Sequence, residues 1–99
     1  MKRLFACIRG RGPAWNDDLP MEQQAEWEEH AAFMEALVEE GSIVAGGPLH
    51  GPRHSALLVF QAHDETEVLA RLQNDPWTRS GLLVIDELHP WTILLGSLR

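Results

Sequence analysis

Residues 21–45 read "MEQQAEWEEHAAFMEALVEEGSIVA", and the parsing of this stretch decides the fold. Trp27, Ala31, Met34, Leu37 and Val38 recur at three- and four-residue spacing, so the pattern predicts a helix over residues 21–40 with one apolar face. Glu22, Glu26, Glu29, Glu35, Glu39 and Glu40 mostly occupy the rest of its surface. Gly41 ends the helix as a C′ glycine does. Residues 42–45 then read as a short strand, broken by Gly46-Gly47-Pro48.

Working outward, residues 3–9, "RLFACIR", form a first strand bounded by Gly10, Gly12 and Pro13. A loop over residues 10–20 carries Trp15, and Asp17 or Asp18 caps the helix that follows, with Pro20 in its first turn. On the other side, a loop with His50, Pro52, Arg53 and His54 leads to a strand over residues 55–62, "SALLVFQA". Asp64 and Glu67 resemble a capping box opening a second helix that runs to about Gln73, with Val68 and Leu72 on one face. After "NDPWTRSG" at 74–81 comes a fourth strand over 82–91, "LLVIDELHPW".

The order is β-α-β-β-α-β, the ferredoxin-like α+β pattern, in a single domain spanning residues 1–99. It implies an antiparallel sheet with both helices on one side. Strand residues alternate between faces, and both faces are apolar here. Leu4, Ala6 and Ile8 oppose Phe5 and Cys7; Ala56, Leu58 and Phe60 oppose Leu57 and Val59; Leu82, Val84 and Leu88 oppose Leu83 and Ile85. Two helices cover one face only, so the expectation is a homodimer through the uncovered sheet face.

Bulk properties narrow the function. Ninety-nine residues suit one domain, and no apolar run approaches the roughly 20 residues that span a membrane. The N-terminal apolar stretch is too short and interrupted for a signal peptide, so a cytoplasmic protein is expected. The formal net charge is −7, and nine acidic residues fall between Asp17 and Glu40 without a Lys or Arg. Such a surface repels phosphate backbones, which argues against nucleic acid as a partner. Cys7, the only cysteine, permits no intrachain disulfide and reads as a small buried hydrophobe.

His50, His54, His63 and His89 read as solvated side chains in or beside loops and near the end of the last strand. His50 and His54 alone are too few ligands for a metal site, so no metal is expected. His30 differs. It follows Trp27 by three residues and precedes Met34 by four, so it projects from the apolar helix face toward the sheet. Two readings stand: a hydrogen-bonded core histidine, or a half-buried imidazole that moves a proton near neutral pH. Asp75 also reads two ways. Asp before Pro76 is a strong helix start, and its second oxygen could orient an imidazole.

The run from His30 to Leu49, "HAAFMEALVEEGSIVAGGPL", is similar to the YCII-related family in its His, its aromatic and aliphatic residues, its Leu and Gly, and its Gly-Pro-Leu. Asp75-Pro76-Trp77 with Gly81, and Glu87–Trp91 "ELHPW", resemble two further family segments. The resemblance implies a ferredoxin-like subunit that dimerises into an α+β barrel. It also implies an active site of a His and an Asp, which fall on His30 and Asp75. The activity it implies is cofactor-free proton transfer or elimination, such as dehydrohalogenation of a small hydroxylated aromatic. The chain departs from the family pattern in its long 10–20 loop with Trp15 and in Ser55-Ala56, where more glycine is expected.

The sequence is therefore read as a lyase- or isomerase-type enzyme without a cofactor, acting on a small, aromatic or anionic molecule. His30 is the general acid/base and Asp75 its orienting carboxylate. Trp77, Trp27 and Trp15 are taken as aromatic walls, and Arg9 as the contact for a substrate carboxylate or phenolate. The alternative is a non-catalytic small-molecule-binding or protein-interaction module on the same fold.

Overall fold

The computed structural model describes residues 1–98. Four strands form one antiparallel sheet in the order β2-β3-β1-β4. They are β1 (Arg3–Arg11), β2 (Ile43–Pro48), β3 (Ala56–Ala62) and β4 (Leu83–Trp91). Helices α1 (Trp27–Glu39), α2 (Glu65–Leu72) and the short α3 (Pro76–Ser80) complete the ferredoxin-like arrangement.

The central strand β1 explains the core. It pairs with β3 from Arg3↔Ala62 to Arg9↔Ala56, and with β4 from Leu4↔Trp91 to Arg11↔Leu83. Phe5 and Cys7 face the helices and pack with Leu58, Phe60, Leu37, Val68 and Leu72. Burial pushes the Cys7 thiol up to about 11, although the nearby Arg9 charge opposes this. The thiol is therefore protonated and inert, as its apolar run suggested.

The α1 helix is shorter than its periodicity predicts. Residues 21–23 form only a 3₁₀ turn, and Glu26 adopts a left-handed conformation (φ 60°) immediately before the helix. The cause is Gln24, which is buried. Its side-chain amide donates to the Asn16 and Leu19 carbonyls at 2.7 and 3.0 Å and accepts the Asn16 N–H at 3.0 Å. Gln24 itself is extended (ψ 152°), so it holds the 10–20 loop instead of carrying the helix. The face that α1 buries is centred on His30 and Leu37, with Phe33 and Met34 against the core. Val38, expected on that face, is 56% exposed.

Strand β4 also departs from simple alternation. Ile8 pairs with Glu87 while Arg9 pairs with Ile85, so a bulge leaves Asp86 unmatched. Ile85 and Leu88 consequently both pack against the core, whereas strict alternation placed Leu88 with Val84. Strand β2 continues through Gly46-Gly47 to Pro48, which an edge strand tolerates.

The 10–20 loop is anchored where β1 ends. Gly12 N–H donates to the Leu82 carbonyl at 2.8 Å, and Ala14 N–H donates to the Gly81 carbonyl at 3.1 Å. A Cβ on Gly12 would lie 2.1 Å from the Gly81 carbonyl oxygen, a backbone atom that cannot swing aside. Gly12→Ala is therefore expected to lower stability by about 1–3 kcal/mol, the usual effect of overpacking. A urea titration followed by far-UV circular dichroism would measure the loss.

Candidate active site

Two local sequence devices create the site. The first is the Asp75-Pro76 start of α3: Asp75 is extended (φ −68°, ψ 126°), and its carboxylate accepts the Trp77 backbone N–H at 2.9 Å. Pro76 begins the helix where no N–H is required. Gly81 ends it in the left-handed region at φ 81°. The second device is the first turn of α1, where His30 N–H donates to the Glu26 carbonyl at 3.0 Å and the ring turns inward.

The structure brings these side chains together across 45 residues of sequence. His30 Nδ1 lies 2.9 Å from Asp75 Oδ1 and 3.0 Å from Oδ2. Asp75 is fully buried. A third group completes the cluster: Arg9 Nη1 donates to Asp75 Oδ2 at 2.8 Å, and Arg9 Nη2 donates to Thr78 Oγ1 at 2.6 Å. Arg9 is only 2% exposed, so two opposite charges are buried in contact.

These contacts set the protonation. Burial pushes the Asp75 carboxyl up, but hydrogen bonds from His30, Arg9 and the Trp77 N–H outweigh it, and its pKa lies below the ordinary value. Asp75 is thus a carboxylate at neutral pH and can only accept hydrogen bonds. The proton between it and His30 must sit on Nδ1, which leaves Nε2 of a neutral ring as a bare lone pair. Nε2 has no protein partner among the described residues, and His30 lines the cleft.

The cleft has a volume of about 370 Å³, at the lower end of the roughly 300–1,000 Å³ of small-molecule sites. His30, Met34, Leu58, Trp15 and Trp77 form much of its wall, with loop residues His50 and His54. Trp77 stacks on the His30 ring with centroids 3.9 Å apart and planes 7° from parallel. Its indole N–H donates to the Ala25 carbonyl at 2.6 Å, a carbonyl the shortened helix leaves free. Trp15 meets Trp77 edge-on at 5.5 Å. Among the described residues, no three His, Cys, Asp or Glu side chains cluster as a metal site requires.

Residues 4–92 match the family model of the YCII-related domain. The chain belongs to the YCII-related family. Two solved structures share its fold. The 5-chloro-2-hydroxyhydroquinone dehydrochlorinase TftG from Burkholderia phenoliruptrix AC1100, in complex with 2,5-dihydroxybenzoquinone, is 24% identical with a TM-score of 0.59, covering 90% of this chain and 93% of its own. The protein YJCS is 11% identical with a TM-score of 0.60, covering 94% of this chain and 99% of its own. No curated protein sequence matches the chain.

Within this YCII-related domain, the residues singled out from the sequence take distinct positions. His30, Trp77, Trp15 and Arg9 line the cleft, whereas Asp75 lies behind His30. Trp27 is outside the lining and packs tilted against His30 at 6.1 Å and Trp77 at 5.7 Å. Arg9 was expected to meet substrate, but both its terminal nitrogens are occupied by Asp75 and Thr78. Thr78, Met34, Arg11, His50 and His54 were not assigned to the site. Thr78 carried one signal, its position one turn after the Asp75 cap.

The lowered pKa of Asp75 fixes the sign of a pH effect. Its stabilisation is present above the ordinary carboxyl value of 3.8 and is lost as pH falls through the lower folded value. Asp75→Asn leaves the buried Arg9 charge uncompensated and is expected to cost about 3–5 kcal/mol at neutral pH. The gap between variant and wild type should narrow below pH 4. Chemical denaturation of both proteins across that range checks it.

Proposed function

We propose that this chain is a cofactor-free enzyme of the lyase type, with His30 as general acid/base and Asp75 as its orienting carboxylate. The observation that supports this best is the bare Nε2 of a ring anchored at Nδ1, lying at the wall of a small aromatic cleft. Nε2 takes a proton from the substrate, and the electron pair of the broken bond forms a new double bond. In the keto tautomer of a chlorinated hydroquinone that double bond is a C=O made from a ring hydroxyl, the neighbouring ring C=C shifts by one bond, and chloride departs with its own bonding pair from the sp³ carbon at its far end. His30 becomes imidazolium, held by the Asp75 carboxylate at Nδ1 and by the face of Trp77. The proton then passes to solvent. The fold shared with a dehydrochlorinase makes elimination from a small hydroxylated aromatic the first reaction to test.

Arg9 takes a supporting role in this reading. Its charge balances Asp75, so the resting carboxylate does not need a protonated His30, and the imidazole stays available as a base. The alternative reading, a binding module of the same fold, uses the cleft without turnover. Loss of stability in Asp75→Asn cannot separate the two, because Arg9 is stranded in either case. His30→Gln separates them. It is expected to reduce halide release from chlorinated hydroquinones by about 10²–10⁴-fold, with near-UV circular dichroism and ligand affinity close to wild type. Unchanged turnover in His30→Gln, or none in the wild type across such substrates, would leave the binding module.

We also propose a homodimer through the uncovered sheet face. Leu4, Ala6 and Ile8 are half-buried there, while Val84 and Trp91 are 37% and 39% exposed. Pairing two such faces would bury this apolar surface. Light scattering at micromolar concentration should give the mass of two chains, and Ile8→Glu at the centre of the face should give that of one.

A further inference from the structure

The cleft contradicts the charge of the molecule around it. The chain has 15 Asp and Glu against eight Lys and Arg, yet among the described residues no carboxylate lines the cleft. Arg9, Arg11, His30, His50 and His54 do. Arg9 and His30 are explained by the dyad and its counter-charge, but Arg11, His50 and His54 serve neither the dyad nor the core.

Arg11 stands at the end of β1, two residues beyond Arg9 and hence on the same face of the strand. Its guanidinium rests 4.6 Å above the Trp15 ring, which holds it over the aromatic wall. Its one ionic partner among the described residues is Asp17, at 3.8 Å and with an 86% exposed side chain. A pair so long and solvated is weak, so a ligand anion can displace it. Opposite, the β2–β3 loop closes through Leu49 N–H donating to the Ser55 carbonyl at 2.8 Å. Within it His54 is held at φ 53°, and its N–H donates to the Gly51 carbonyl at 3.2 Å. A histidine in the left-handed region is strained, and such strain gathers where a loop must present a side chain.

A second observation agrees. Arg9 Nε and Trp15 Nε1 are buried without hydrogen-bond partners among the described residues. Both belong to the cleft wall, and both are donors. Neither nitrogen reaches the cleft surface, so both place positive dipole behind the wall without an acceptor to offset it.

We infer that the ligand of this cleft is a small aromatic carboxylate, its acid group received by Arg11 with His50 and His54, and its ring lying against the wall that Trp15 and Trp77 form together. The inference rests on the proposed function for the identity of the site, and it specifies the substrate class that the site takes. In that placement the carboxylate anchors one end of the molecule, and the ring's reacting position is left to His30 Nε2.

The test compares 4-hydroxybenzoate with its neutral isostere 4-hydroxybenzamide, by quenching of tryptophan fluorescence in the full chain. The acid should bind at least about tenfold more tightly than the amide, as a desolvated charge pair gives. In Arg11→Gln the preference should collapse to about twofold or less, while Arg11→Lys should keep much of it. Equal affinities in the wild type, or binding of neither compound at millimolar concentration, would overturn the inference. So would a preference that survives Arg11→Gln, His50→Gln and His54→Gln combined. His30→Gln is the control for the underlying reading. Loss of turnover there with the acid preference intact supports both. An intact preference in a wild type without turnover removes the enzyme and keeps the anion site.

Discussion

A buried carboxylate is the constraint on which the rest of this molecule depends. Asp75 has no solvent to hydrate it, so every lone pair that matters must be met by protein. Arg9 from the central strand, His30 from α1 and the Trp77 N–H from α3 meet them, at 2.8 to 3.0 Å. Removing a carboxylate from water costs several kcal/mol, and only good geometry offsets it. The three elements are therefore tied at one point, and the cleft beside that point inherits their rigidity.

The same cluster sets the chemistry available. A carboxylate facing a lone histidine would draw a proton onto it. Here an arginine shares the carboxylate, and the proton between Asp75 and His30 sits on Nδ1. Trp77 then contributes three separate effects through one residue. Its backbone N–H caps onto Asp75, its ring stacks on His30, and its indole N–H takes up the Ala25 carbonyl. The last contact links the site to the shortened start of α1, so the irregularity there belongs to the architecture of the cleft.

The charge distribution fits this picture. The α1 surface is rich in carboxylates, while the cleft is lined by arginine and histidine. For the proposed aromatic acid, the favourable potential then lies inside the cleft, beside the imidazole.

Much of this was legible from the chain alone, because local rules dominate where they apply. Alternation and helical spacing place the four strands and two long helices, Asp-Pro starts α3, and His30 faces inward by its spacing from Trp27 and Met34. The family motifs mark His30 and Asp75 as a pair. Other features depend on contacts between residues far apart in sequence. Gln24 ends the apparent helix because its amide braces a loop eight residues away. The Asp86 bulge reverses the face of Leu88 because β4 must follow β1. Arg9, a plausible substrate contact in sequence, is held by a carboxylate 66 residues distant. Periodicity and capping report only what a residue's neighbours permit. Which buried charge meets which, and which cations are left facing the cleft, is decided when the sheet and helices close around them.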